Sequence, residues 1–581
     1  MSIETVAAPA APNPPLRTSR PRELRHDTAT RVVAVVVVAI LSLLIVIPVL
    51  TILSTSASSE GLAVFASIFS SSVNRQIILN TVILGTIVGA LGTAIGFLLA
   101  YVQVRMEFRG KRILHLIALL PIVSPPFALA TAVITLFGRS GLVTRDLLGI
   151  TPNIYGLPGL TVVLTLSFFP AAYMNLLGMM RSLDPSLDEA ASGLGASKWQ
   201  VFRSVTIPML VPGFASSFLL LFVETIADLA NPLVIGGDFT VLSSRAYIAI
   251  TGEYDVAAGA AYSVVLLLPA VLVFLIQRYW AGRRSVVAVT GKPSGRPDLI
   301  TSPVARTMLL APVALFAGLI VLIYATVVVG GFVSILGVND TLTLDHYAYV
   351  LSGIGSDAMV TTTTLALIAT PLAGVLGLAV AWLVVRKLRR GRSLMDFLGM
   401  LGLAVPGTVL GIGYALTFNT PRGFGDVVLI PALAGGGAAF GGAVAIVMVY
   451  VIRSSPSGQR AGVAALQQID MSIDEASASL GASGLTTFRK ITLPLVRPAL
   501  FAGLTYAFAR SMTTLSPIVF LTTPQTKIMT SQILSEVDAG RFGNAFAYCT
   551  ILIVIVMGVI GILNLLIRER PVGRPADAMA T

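Results

Sequence analysis

The chain has 581 residues, 55% of them hydrophobic and 11% charged, with a mean hydropathy of +0.88 and a formal net charge of +12. A soluble domain carries about 25% charged residues, so lipid is the solvent for most of this polypeptide and a soluble multidomain enzyme is excluded. The single cysteine, Cys549, excludes an intramolecular disulfide and a cysteine-based metal site.

Residues 1–31 are rich in Pro, Ala and Arg without an apolar run and read as a disordered N-terminus. A membrane span needs about 20 apolar residues. Six stretches qualify in the first half: 32–54, 77–104, 113–137, 158–180, 209–230 and 258–280. Six more follow: 308–336, 359–385, 394–418, 430–452, 496–520 and 543–567. The first is too long for a signal-peptide core and reads as an uncleaved anchor. Residues 281–307, with Pro and Gly between two basic clusters, form a linker, and 568–581 a basic tail. The expectation is an all-α membrane protein of about twelve transmembrane helices, with halves at 32–280 and 308–567. Pro121 to Pro126 and Gly435 to Gly442 predict broken or closely packed helices. Gly85-x-x-x-Gly89 and Gly92-x-x-x-Gly96 predict close helix approach.

Lys and Arg concentrate on alternate connections: Arg17 to Arg31, Arg105 to Arg112, Arg283 to Arg306, Arg386 to Arg392 and Arg568 to Arg574. The other connections hold scattered charges such as Arg75, Arg245 and Lys527. The excess of positive charge marks the cytoplasmic face, which puts both termini there. It also explains the basic runs through membrane lipid, with no nucleic acid partner.

One pattern is written twice. Ser186-Leu-Asp-Glu-Ala-Ala-Ser-Gly-Leu-Gly-Ala-Ser197 runs on through Phe202-Arg203 to Ile207-Pro208, and Ser472-Ile-Asp-Glu-Ala-Ser-Ala-Ser-Leu-Gly-Ala-Ser483 runs on through Phe488-Arg489 to Leu493-Pro494. Glu189 and Glu475, Gly195 and Gly481, and Pro208 and Pro494 are each 286 residues apart. Upstream, Gly96 matches Gly377, Arg105 matches Arg386 and Pro125 matches Pro406 at an offset of 281. Six spans per half is an even number, so the halves are parallel repeats about an axis along the membrane normal. Both polar islands then lie on the cytoplasmic side. Ser186 with Glu189, and Ser472 with Glu475, predict capping boxes. Gly195 predicts the helix stop. Ser197 with Gln200 predicts a second short helix that presents Trp199 and Phe202, and Ile207-Pro208 the start of the next span. Each island is thus expected to be a helix-turn-helix that docks a partner.

These islands resemble the Glu-Ala-Ala motif of ABC-importer inner-membrane permeases. The matching positions are Glu189, Ala190, Ala191, Gly195, Ile207 and Pro208, and again Glu475, Ala476, Gly481, Leu493 and Pro494, with Ser477 in place of the third motif residue. The resemblance runs over about 77–280 and 359–567 and implies the type I importer permease fold. It further implies coupling helices that dock two ATPase subunits, a periplasmic or extracellular solute-binding protein, and a bacterial cytoplasmic membrane. The fused two-motif chain is similar to ferric-iron and thiamine permeases. No G-x-x-x-x-G-K-[ST] phosphate loop occurs, so ATP and Mg belong to the partner ATPase, and this chain is a transport subunit with no catalytic residue or cofactor of its own. His26, His115 and His346 are far apart and suggest no metal site.

Ionisable residues inside spans are costly and line pathways or pair. Glu224 and Asp228 fall in the span after the first island and Arg510 in the span after the second. Glu224 and Arg510 are 286 apart, and these three residues are the candidate translocation path. Glu224-Thr-Ile-Ala-Asp228 resembles a segment of ferric-iron permeases, which makes ferric iron the leading substrate. The stretch from Arg510 to Leu521 resembles relatives for iron or for phosphonates and phosphate esters, which makes such an anion the alternative. An ion-coupled secondary transporter also has six plus six parallel spans, but needs no paired docking islands.

Overall fold

In a bilayer core every backbone polar group must be satisfied within the chain, and an apolar run meets that demand as helix. The computed structural model describes residues 28–280, 299–388, 390–424 and 427–567. The expected N-terminal segment, linker and tail lie, from 1 to 27, 281 to 298 and 568 to 581, outside the described residues.

Among the described residues, eleven helices are long and apolar enough to cross a membrane, and one bent pair makes a twelfth span. The first half holds α1 (Thr30–Ser56), α2 (Ser72–Arg105), α3 (Lys111–Val123), α4 (Pro126–Phe137) and α5 (Leu157–Ser182). It continues with α6 (Pro185–Gly193), α7 (Lys198–Ala227), the short α8 (Ala230–Ile235), α9 (Leu242–Thr251) and α10 (Val256–Trp280). The second half repeats the plan. It holds α11 (Pro303–Gly330), α12 (Gly353–Lys387), α13 (Arg392–Ala404), α14 (Gly407–Phe418), α15 (Ala443–Gln467), α16 (Met471–Ser479), α17 (Phe488–Thr513), α18 (Met529–Asp538) and α19 (Phe542–Ile567).

One span breaks within the expected Pro121 to Pro126 run and two others differ from the sequence expectation, each for a local reason. Residues 113–137 and 394–418 are not single helices. Ser124 (φ −86°, ψ 149°) and Val405 (φ −81°, ψ 124°) are extended before Pro125 and Pro406, because a proline ring disfavours helix at the residue before it. In the second half the two pieces meet at 99°. The span expected at 430–452 lies instead at Ala443–Gln467. Arg422–Phe424 and Val427–Ile430 form an antiparallel pair of short strands, and Gly435, Gly441 and Gly442 have φ of +85°, +59° and +87°. That left-handed backbone delays the helix, which then runs on through Arg453 and Arg460.

The two apolar cores each draw on both halves. One joins Leu84, Phe127 and Tyr173 to Val313, Phe508 and Tyr548; the other joins Leu41, Ile52 and Tyr262 to Tyr414 and Tyr450. Each opening span therefore packs across the repeat boundary. The Tyr414 hydroxyl donates to the Leu44 carbonyl of α1 at 2.6 Å, and Ser124 and Tyr324 hydroxyls meet at 2.6 Å between α11 and the break at Pro125. Lipid tails are as apolar as leucine, so close packing rather than the hydrophobic effect holds helices together. The expected glycines provide it. A Cβ on Gly96 would lie 2.7 Å from the Tyr173 amide, and one on Gly377 would lie 2.6 Å from the Ser455 carbonyl. Gly85 and Gly89 lie in the same way against Phe222 and Phe218.

Candidate functional site

Each island is built the same way, and the build differs from the expectation at its first turn. Pro185 occupies the first turn of α6, and the cap is Asp184, whose Oδ1 accepts the Ser186 amide at 3.0 Å. Asp470 accepts the Ser472 amide at 2.9 Å in the second copy. Ser186 and Ser472 are therefore inside the helix, two residues too late to cap, and the expected boxes with Glu189 and Glu475 do not form. On the surface, the Ser472 amide holds the Asp470 carboxyl below the ordinary aspartate range.

The helix stops where expected. Gly195 (φ +87°) and Gly481 (φ +81°) adopt the left-handed conformation. The Gly195 amide donates to the Ser192 carbonyl at 2.9 Å and the Ala196 amide to Ala191 at 3.1 Å, while Ala482 donates to Ser477 at 3.1 Å. These bonds satisfy carbonyls that the helix leaves open. Ser197 and Gln200 form the expected capping box, through bonds of 3.4 and 2.7 Å.

The second helix of the island is not separate from the span. Lys198–Ala227 is continuous, and it passes through a π turn at Phe202–Thr206; Gly484–Thr487 passes through another at Phe488–Thr492 into Leu493–Thr513. Pro208 and Pro494 lack an N–H and crowd the carbonyl four residues back, and a widened turn relieves that crowding.

Two matched contacts fix each island to the bundle, and the sequence reading missed both anchors. Buried Asp188 meets Arg105 at the end of α2 at 2.5 Å; Asp474 meets Arg386 of α12 at 3.4 Å. Arg386 also donates to the Leu466 and Ile469 carbonyls at 3.0 and 2.6 Å. Phe202 stacks edge-on against Tyr101, and Phe488 against Trp382, both at 5.4 Å. Phe202 therefore faces the bundle rather than a partner. The repeat itself carried the signal, since Asp188 and Asp474 share the 286 offset and Arg105 and Arg386 the 281 offset.

What remains outward is the motif. Glu189, Ala190, Gly195, Glu475, Ala476 and Gly481 are exposed, and Leu194, Leu480 and Trp199 are 90%, 88% and 68% exposed. Ile207 and Leu493 are half-buried at the π turns, and Pro208 and Pro494 are exposed.

The second site is a cavity of about 550 Å³ between the halves. Glu224 on α7 and Arg510 on α17 meet across it at 3.4 Å, as their repeat positions imply. Asp228 also lines the cavity, but its Oδ2 accepts both the Asn231 amide and side-chain amide at 3.0 Å. It ends α7 and caps the turn into α8, so that oxygen is already committed. Three lining residues escaped the sequence reading: Arg453, Arg460 and Tyr506. Arg453 donates to the Val405 carbonyl at the α13–α14 bend, 3.2 Å away, and Arg510 to the Tyr506 hydroxyl at 3.4 Å. Arg453 and Arg460 are seven residues apart on one helix face. Hydropathy ended the span at 452, before both. Among the described residues, no group of three His, Cys, Asp or Glu side chains is placed to hold a metal ion.

Two parallel six-span repeats around a shared polar cavity, with matched outward islands on one side, define the membrane-embedded subunit of a transporter. The chain belongs to the family of binding-protein-dependent transport system inner membrane components, whose pattern matches residues 92–286 and again 373–569, once in each half. Among its relatives is the ferric transport system permease protein FbpB of Actinobacillus pleuropneumoniae, 37% identical over 496 residues, which cover 84% of this chain and 70% of that one. The Fe(3+)-transport system permease protein FbpB 2 of Haemophilus influenzae is 24% identical over 82% of this chain and 87% of its own length. The molybdenum transport system permease protein ModB of Escherichia coli is 26% identical over 33% of this chain and 85% of its own.

Proposed function

We propose that this chain forms the translocation path of an ATP-driven importer in the bacterial cytoplasmic membrane, with ferric iron as its cargo. Two ATPase subunits, which hold ATP and Mg, dock on the loops 184–208 and 470–494, and a solute-binding protein delivers cargo to the opposite face. Both islands and both termini face the cytoplasm. The chain hydrolyses nothing itself. The observation that carries this reading is the pair of islands: same aspartate cap, same left-handed glycine, same ion-pair anchor, same exposed Glu-Ala edge. Two equivalent docks suit a symmetric motor. The iron assignment follows the names of the relatives that match most of the chain.

The path runs through the cavity lined by Glu224, Asp228 and Arg510. Reconstitution in liposomes with the neighbouring ATPase and binding protein tests the proposal. Uptake of ⁵⁵Fe should require ATP inside the ATPase-bearing compartment. Uptake driven by an ion gradient without the ATPase would overturn it. A second reading, an organophosphonate or phosphate ester, is favoured by Arg453, Arg460 and Arg510 in the cavity wall.

A further inference from the structure

The cavity is symmetric in position and lopsided in charge. Its lining residues come in pairs 286 apart: Ser167 with Arg453, Leu220 with Tyr506, and Glu224 with Arg510. All three guanidinium groups belong to the second half. Arg460 lies two turns, about 10 Å, from Arg453 toward the island end of α15, so positive charge extends along the wall rather than gathering at one point.

The opposing charge is smaller, two carboxylates against three guanidinium groups, and both carboxylates have partners. One oxygen of Asp228 is taken by Asn231, and Glu224 is held by Arg510. Arg460 is exposed in the cavity wall and makes no hydrogen bond or ion pair among the described residues. The Nε of Arg453 and of Arg510 is buried without a hydrogen-bond partner. A charged side chain at membrane depth costs about 2.5–3.5 kcal/mol on insertion scales, and three like charges on one wall repel one another. An empty aqueous path has no need of such a wall.

Guanidinium stays protonated, has no lone pair to offer a metal ion, and presents forked N–H donors that match the oxygens of a phosphate or carboxylate group. We propose that the cavity binds a phosphate-type oxyanion in transit. Arg453 and Arg460 bind its oxygens, and the anion displaces Glu224 from Arg510 as it passes. The Glu224–Arg510 contact, at 3.4 Å, is longer than the 2.7–2.9 Å of a tight charged pair, which suits a contact that must open. The oxyanion arrives either as a phosphate ester or as an anion carried on ferric iron; the chemistry at the arginines is the same. The proposal rests on the importer reading only in taking this cavity as the path.

The test uses the full chain in lipid nanodiscs and follows its unfolding temperature. Inorganic phosphate, against chloride at matched ionic strength, should raise it in a saturable way. Arg460→Gln should weaken the apparent affinity about tenfold or more, the loss of one charge-assisted contact, while Arg460→Lys retains most of it. Glycerol 3-phosphate and ferric pyrophosphate separate the sources. A response to the ester marks a phosphate ester, and a response confined to the ferric complex marks an anion on iron. No response to any of the three probes, or an unchanged response in Arg460→Gln, overturns the proposal. Arg460 makes no structural bond, so its variants should fold and still co-purify the ATPase. Failure of the wild-type chain to bind an ATPase would instead overturn the importer reading.

Discussion

Asp188→Asn removes one charge and keeps the shape of the side chain. In the structure Asp188 and Arg105 are 11% and 10% exposed at the side chain and 2.5 Å apart. Breaking a buried pair of this kind costs about 3 kcal/mol. The equivalent pair is looser: Asp474 is 30% exposed, its contact with Arg386 is 3.4 Å, and Arg386 keeps two carbonyl partners if the carboxylate is lost. Asp474→Asn should therefore cost about 1 kcal/mol. The loss falls on local attachment of the island rather than on global folding, because the cores hold without it. A 3 kcal/mol change shifts detachment of α6 about a hundredfold, against about fivefold for α16. Hydrogen exchange on the nanodisc-embedded chain reads this directly: amides of Pro185–Gly193 should lose protection far more in Asp188→Asn than those of Met471–Ser479 in Asp474→Asn. ATP turnover stimulated by cargo-loaded binding protein should fall in the same order. Equal effects of the two variants, or full protection of α6 in Asp188→Asn, would refute the reasoning.

Three other outcomes follow from the same geometry. Gly195→Ala and Gly481→Ala meet no atom within 4 Å, so each should cost only the left-handed strain of about 1–2 kcal/mol and reduce ATPase coupling without lowering expression; bulkier side chains should also block docking, and normal co-purification and transport would count against the dock. Glu224→Arg and Arg510→Glu should each lower transport about tenfold or more, and the double exchange should recover part of the loss; a double variant no better than either single one breaks the pairing argument. The Asp470 cap is held by its ionised form, with a pKa below the ordinary 3.8, so its contribution is full above that value and is lost as pH falls through the lowered one. Asp470→Asn should keep the Met471–Ser479 helix start and remove this acid sensitivity, as read by a carboxyl ¹³C titration and helix protection at matched pH.

What was legible in the sequence is what the local backbone dictates. Gly195 and Gly481 end helices because the left-handed turn wants no Cβ, and Gly96 and Gly377 mark helix contacts because nothing larger fits. The Pro121 to Pro126 run marked the break at Pro125, and the repeat offset that pairs Pro125 with Pro406 carried the second one unread. The caps were misplaced by two residues because Ser-x-x-Glu was weighed above Asp184-Pro185, although a proline in the first turn fixes where the helix begins. The anchors Asp188–Arg105 and Asp474–Arg386 join elements more than 80 residues apart, where helical periodicity is silent and only the repeat offsets point to the pair. Arg453 and Arg460 were lost for a different reason. Hydropathy treats every charge as facing lipid, so a helix with a wet face ends too early.

The last point bears on how the two halves have come to differ. Every feature shared at the repeat offset is a constraint on backbone or attachment: the glycine contacts, the proline breaks, the π turns, the island caps and the aspartate anchors. In the proposed importer, a change at any of them would disturb the dock or the packing on one side only, while the proposed cycle needs the two halves to move together. The cavity wall carries no such constraint, because Ser167 and Arg453, or Glu224 and Arg510, need only share a path, not a shape. Charge is therefore free to differ along the proposed path. A search for selectivity in this architecture should start from lining positions where the repeat is broken, and in this chain those positions put Arg453, Tyr506 and Arg510 opposite a serine, a leucine and a glutamate.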